Sequence, residues 1–126
     1  MLRLARLSAI FFVALSGVAS ARAAELVLFE RAGCVWCARW NEEVGGAYDK
    51  TEEGKRARLR RVDVAKGMPP DLAAVKAVVY TPTFVLVDDG REIGRIEGYQ
   101  DNAFFYAYLD RLLEKAEQAK KPAIGG

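Results

Sequence analysis

Cys34 and Cys37 are the only cysteines in the chain, three positions apart as Cys34-Val35-Trp36-Cys37. Two thiols at that spacing can hold a metal ion, form an inert cross-link, or pass two electrons by thiol–disulfide exchange. Structural zinc takes four Cys or His ligands, and the chain has no histidine and no third cysteine. Copper would want further soft ligands, and apart from Met1 the only methionine is Met68. A disulfide closing so short a loop restricts the unfolded chain little, which weakens a purely stabilising role. Redox chemistry is the best supported of the three, with no metal and no bound cofactor expected. Without histidine, neither Cys-His nor Ser-His-Asp catalysis can be built.

Exchange needs one exposed, ionisable thiol and one shielded thiol. The short apolar run Leu26-Val27-Leu28-Phe29 predicts a strand over Glu25–Glu30, buried on both faces. Arg31-Ala32-Gly33 is a brief loop, and Trp36, Cys37, Trp40 and Val44 predict a helix over Cys34–Tyr48, weakened at its end by Gly45-Gly46. Cys34 then stands at a helix start, where unpaired N–H groups and a partial positive charge favour a thiolate. Cys34 is the expected nucleophile. Cys37, one turn inside and more buried, is the expected resolving thiol, and Gly33 leaves room for a substrate chain.

Further along, Thr51–Ala57, polar and interrupted by Gly54, reads as a surface connection and Leu59–Val64 as a second strand. Pro69-Pro70 suits a helix start, with a short helix over Asp71–Ala77. Thr83–Val87 is a third strand, Asp88-Asp89-Gly90 a hairpin turn and Glu92–Ile96 the return strand. Asp101 can cap a last helix whose apolar positions Phe104, Phe105, Tyr108, Leu109, Leu112 and Leu113 mark one buried face. The order β-α-β-α-β-β-α describes an α/β domain, a mixed central sheet flanked by helices. The expected organisation is a leader over 1–23, one domain over 24–119 and a loose tail over 120–126.

These features together resemble the thioredoxin-like family. The resemblance is carried by the cysteine pair after an apolar strand, Thr81-Pro82-Thr83 before the next strand and Gly98 before the last helix. It spans roughly Glu25 to Lys115. More narrowly, Leu26 to Glu30, Cys34 to Trp40, Arg60 to Val64, Pro82 to Leu86 and Gly90 to Tyr99 are similar to the periplasmic thioredoxins of bacterial sulfur-oxidation (Sox) clusters. The resemblance implies thiol–disulfide oxidoreductase activity and a cis Pro82 that aims the Thr81 backbone at a substrate chain. It also implies substrate contacts at Val35, Trp36, Thr81 and Pro82. The narrower likeness implies that a sulfur-carrier protein's thiol is reduced and reactivated, with electrons from a membrane thiol donor. The sequence departs from the family in three ways. Leu28 occupies the strand position where thioredoxins commonly carry a buried Asp, Val35-Trp36 replaces Gly-Pro, and the strand and helix that open the full fold are not evident.

Other residues carry two readings each. Trp40 reads as core and Trp36 as surface, although both could form an apolar lip. Glu30 is either a strand-end acid or a proton relay for Cys37. Lys55, Arg56, Arg58, Arg60 and Arg61 read as solvated surface or as steering for an acidic partner. Two other functions stay open: an oxidase or isomerase of periplasmic disulfides, and a redox-inactive binding module on the same fold. No dimerisation segment is evident, so a monomer is expected.

The first 23 residues follow the order of a secretory leader. Arg3 and Arg6 precede the apolar run Leu7–Val18, and Ala21-Arg22-Ala23 supplies small residues before Ala24. The run is 12 residues, against the roughly 20 a membrane span needs. Three of the chain's 19 basic residues lie in the leader, leaving 16 against 17 acidic, a net charge of −1. Bulk charge therefore gives no case for nucleic-acid binding. The protein recovered from a periplasmic fraction is expected to begin at or near Ala24 by intact mass. Recovery of a form starting at Met1 would contradict export with cleavage.

Overall fold

The computed structural model describes residues 23–122. The leader expected over 1–23 lies, Ala23 apart, outside the described residues. Four strands, β1 (Ala24–Glu30), β2 (Ala57–Asp63), β3 (Thr83–Asp88) and β4 (Arg91–Glu97), form one mixed sheet in the order β2-β1-β3-β4. β1 runs parallel to β2 and antiparallel to β3, and β4 returns antiparallel beside β3. The mixed α/β class agrees with the sequence reading.

β1 is the inner strand on which both faces are built. Leu26 and Leu28 point into one core with Phe84 and Leu86 of β3, and Trp40, Tyr48, Phe105 and Leu109 cover them. Val27 and Phe29 point the other way, with Val85 and Val87, against Val62, Leu72 and Val75. This two-sided burial is why the strand reads as continuous rather than alternating apolar sequence. Trp40 is core, with its ring 5.1 Å from Phe84 and 5.7 Å from Phe105 by centroid.

The helices depart from the sequence expectation in three places. The helix expected over Cys34–Tyr48 is a six-residue α1 (Val35–Trp40) followed by a π-helical turn, Asn41–Gly45. Gly45 lies under the Trp40 ring, where a Cβ would come within 3.0 Å of Cζ3. Thr51–Ala57, expected as a connection, contains α2 (Glu52–Arg56), capped by Thr51 Oγ1 accepting the Gly54 N–H at 3.0 Å. Gly54 looked like a break because glycine is a poor helix former. It is there because a Cβ would overlap the Tyr48 carbonyl. The helix expected over Asp71–Ala77 does not form: only a single 3₁₀ turn, Pro70–Leu72, is present.

The last helix, α3 (Asn102–Lys120), starts where expected, with Asp101 Oδ1 accepting the Phe104 N–H at 2.8 Å. Phe105, Leu109, Leu113 and Ala116 are its buried stripe, whereas Phe104 and Tyr108 are partly exposed and pack on each other at 4.4 Å. Leu112 fits over Gly94 of β4, where a Cβ would meet Leu112 Cδ2. α3 runs through Lys120, so of the tail expected over 120–126 only residues 120–122 are described.

Gly54→Ala is expected to destabilise the protein by about 1–3 kcal/mol through overpacking against backbone. Denaturant unfolding measures this. A variant as stable as the parent would show that α2 can move off Tyr48 freely.

Candidate active site

The end of β1 delivers the chain to the cysteines. Gly33, at φ +78°, turns it, and the Cys34 N–H donates to the Arg31 carbonyl at 3.4 Å. Cys34 is the N-cap of α1, with extended backbone (φ −76°, ψ 109°). Its Sγ accepts the Cys37 N–H at 3.1 Å. The same sulfur lies 3.4 Å from the Thr81 carbonyl oxygen. Cys34 and Cys37 are joined as a disulfide with Cα atoms 5.2 Å apart. Cys34 is partly exposed, whereas Cys37 is buried at 3%.

Sγ of Cys34 therefore has a donor on one side and an acceptor on the other. In the reduced protein the Cys37 N–H would favour a thiolate, because a charge-assisted hydrogen bond is stronger than a neutral one. The Thr81 carbonyl can accept from a thiol but gives nothing to a thiolate. Thr81–Pro82 is a cis peptide bond, and the Pro82 carbonyl accepts the Gly98 N–H at 2.7 Å. Cys34, Thr81, Pro82 and Gly98, far apart in sequence, thus meet at one end of the sheet.

The rim is apolar. Val35 and Trp36 stand out on the cysteine side, Trp36 at 52% exposure, and Val79 and Tyr80 stand out on the Thr81 side at 76% and 61%. The sequence reading named Val35 and Trp36 but passed over Val79 and Tyr80. The available signal was the apolar run Val78-Val79-Tyr80 directly before Thr81-Pro82.

Two arginines near the pair are matched by carboxylates. Arg39 pairs with Glu43 at 2.8 Å and Arg61 with Glu30 at 2.7 Å. Glu30 is also reached by Asn41 Nδ2 at 3.4 Å, and Arg61 donates to Asn41 Oδ1 at 2.7 Å. Glu30 is thus engaged as a strand-end acid. Leu28, fully buried, supplies no carboxylate where thioredoxins commonly have one. Of the basic cluster after α1, Lys55 pairs with Glu52, Arg56 with Glu117 and Arg60 with Asp71. These pairs weaken any steering field from that face. Among the described residues no group of three or more His, Cys, Asp or Glu is placed to hold a metal ion.

Sequence reasoning also missed the device that sets the Thr81 loop in place. Arg95 of β4 donates from Nη2 to the Lys76 carbonyl at 3.0 Å and from Nη1 to the Ala77 carbonyl at 3.1 Å. Glu92 accepts the Lys76 N–H at 3.0 Å and binds Arg95 Nε at 2.6 Å. Of these groups only the Lys76 N–H would have had a partner inside a helix over Asp71–Ala77, because the Lys76 and Ala77 carbonyls fall in what would be its last turn. The segment is irregular, and two side chains of β4 position it.

The model of the thioredoxin-like domain matches residues 11–113. The chain belongs to the thioredoxin-like family. This thioredoxin-like protein is a thiol–disulfide oxidoreductase, with the Cys34–Cys37 pair at disulfide distance. Among solved structures it is similar to the periplasmic thioredoxin SoxS from Paracoccus pantotrophus, in its reduced form. The two are 41% identical with a TM-score of 0.71, over 74% of this chain and 98% of that one. It is also similar to Fasciola hepatica thioredoxin, at 27% identity and a TM-score of 0.56, over 71% and 80% of the two chains. A thioredoxin-fold protein from Helicobacter pylori shares the fold at 22% identity and a TM-score of 0.59, over 79% and 74%. No curated protein sequence matches this thioredoxin-like protein.

The Glu92–Arg95 staple carries a pH signature. The hydrogen bond from Arg95, opposed by partial burial, holds Glu92 below its ordinary 4.5. A carboxylate depressed in the folded state contributes stability above its unfolded pKa and loses it as pH falls through the folded value. Wild type is therefore expected to be more stable than Glu92→Gln above about pH 5, and the two to converge in more acidic solution. Thermal unfolding across that range checks it. A gap that widens on acidification would reverse the assignment.

Proposed function

We propose that this protein is an exported periplasmic dithiol reductase that restores the thiol of a partner protein. The observation that carries the reading is the asymmetry of the pair. Cys34 is partly exposed with a backbone N–H on its sulfur, and Cys37 is buried behind it. Cys34 as thiolate attacks the partner's disulfide sulfur and expels one partner thiolate, forming a mixed disulfide. Cys37, deprotonated, then attacks Cys34 Sγ, closes the Cys34–Cys37 disulfide and releases the second partner thiolate. Two electrons pass from the pair to the partner. A thiol donor outside this chain must return them, and in an exported protein that donor acts through the membrane.

The partner chain lies across Val35, Trp36, Thr81 and Pro82, with the Thr81 backbone beside the attacking sulfur. The sulfur carrier of a Sox system is the proposed substrate. The likeness to the periplasmic thioredoxin SoxS supports both compartment and pathway. A reducing direction is supported by the residues themselves. A strong oxidant needs an unusually stabilised reduced form. Val35-Trp36 adds no cation, and Arg39 and Arg61 are each matched by a carboxylate. The protein is proposed to act as a monomer and to need no bound cofactor.

Cys37→Ser is expected to accumulate mixed disulfides in cells and Cys34→Ser none, read on non-reducing gels with mass spectrometry of the trapped protein. Trapping through Cys37 alone would exchange the two roles. Equilibration with glutathione should place the pair well below roughly −120 mV, the value of the strong periplasmic oxidant. A potential near that value, with a fully oxidised pair in cells, would make the protein an oxidase. Full function in Cys34→Ser would make it a binding module.

A further inference from the structure

The Tyr99 hydroxyl has no role in the packing of its ring. The ring is buried at 6% in the core beside Phe105, where a phenylalanine would fit equally well. The hydroxyl donates to Glu43 Oε2 at 2.6 Å. The other oxygen of Glu43 takes Arg39 Nε at 2.8 Å. The Arg39 guanidinium in turn lies 5.8 Å from the centroid of the Trp36 ring, within cation–π range. Trp36 is half exposed between the two cysteines, so it lacks the enclosure that fixes a core tryptophan.

The contacts close on themselves. The Cys34 sulfur touches the Thr81 carbonyl, Pro82 binds the Gly98 N–H, and Gly98 precedes Tyr99. Tyr99 then returns through Glu43 and Arg39 to Trp36, two residues from Cys34. An exposed i,i+4 ion pair alone holds its arginine weakly. Here one end of the chain is anchored by a phenol fixed in the core. Burial and the Glu43 carboxylate both raise the Tyr99 pKa, so the hydroxyl stays a donor.

We infer that Tyr99 is a positioning residue which, through Glu43 and Arg39, holds the Trp36 side of the site ready for a protein substrate and takes no part in thiol exchange. The inference rests on the reading above that a partner chain docks beside Cys34. Holding one wall in place removes an ordering cost on docking, which appears in affinity for an extended chain. A small disulfide that reaches only the sulfur does not need that wall.

The test compares insulin disulfides with glutathione disulfide as substrates of the mature protein. Tyr99→Phe and Glu43→Ala are expected to raise KM for insulin about fivefold with kcat unchanged, a loss of uniform binding. Exchange with glutathione disulfide and the reduction potential should not move. Trp36→Ala should show the same rise, and adding Tyr99→Phe to it should change nothing further, because the two act as one unit. An unchanged KM in Tyr99→Phe, an additive double variant, or a parallel loss with glutathione disulfide would each overturn the inference. If wild type exchanges with neither insulin nor the protein trapped by Cys37→Ser while exchanging with glutathione disulfide, the protein-substrate reading falls, and this inference with it.

Discussion

Leu26, Val27, Leu28 and Phe29 send alternate side chains into two separate cores, and all four are essentially inaccessible to water. Burying a large apolar side chain is worth about 1.5–3 kcal/mol, so β1 is held from both sides and cannot slip. A one-residue shift would exchange the two faces. Because β1 is locked, the point where it ends is locked, and Cys34 is only a short turn beyond it. The second wall of the site arrives on β3, which pairs with β1 from Glu25↔Val87 to Phe29↔Thr83. Thr83 directly follows Pro82, so the same ladder that buries β1 also brings Thr81 to the Cys34 sulfur.

The loops that finish the site are secured by side chains rather than by regular structure. Residues 73–82 contain no helix or strand, yet Lys76 and Ala77 have backbone groups taken by Glu92 and Arg95. Both side chains are well shielded from water, which strengthens the pair relative to a surface bridge. On the other flank, the π turn after α1 leaves Asn41 meeting Arg61 and Glu30, and Glu43 meeting Arg39 and Tyr99. The disulfide thus sits between two stapled segments, with an apolar rim exposed above it.

The contacts at the sulfur and the exposed rim are built from different groups. The two groups that touch the Cys34 sulfur are backbone groups, the Cys37 N–H and the Thr81 carbonyl. Side-chain changes on the rim leave those two groups in place. Val35, Trp36, Val79 and Tyr80 stand clear of the core, and in the proposed reaction recognition falls to the exposed Val35 and Trp36 together with Thr81 and Pro82. Most of the nearby charges are matched in pairs, so the rim presents apolar surface to a partner rather than a strong field.

Periodicity and spacing made much of the molecule legible. The continuous apolar run of β1, the Asp88-Asp89-Gly90 hairpin and the Asp101 cap are local signals with local causes, and each element starts within a residue or two of its expected place. The cysteine pair was legible because the chain offers no other thiol and no histidine to give it a different chemistry. What sequence reasoning missed depended on contacts between distant segments. Gly54 looked like a helix breaker, and only the approach of Tyr48 makes it a requirement of α2. Asp71–Ala77 had helix-start signals, but a helix so short is not self-sustaining, and Glu92 takes the Lys76 N–H that it would have used. Phe104 and Tyr108 belonged to the apolar pattern of α3, yet the core buries the Phe105, Leu109, Leu113 and Ala116 stripe and leaves both of them largely outside. The sequence by itself determined the chemistry and the strands that carry it, because thiols and hydrophobic runs act locally. The tertiary structure alone decided which carbonyl faces Cys34, which ion pairs hold the loops and which aromatic side chains stay outside, because those outcomes depend on partners tens of residues away.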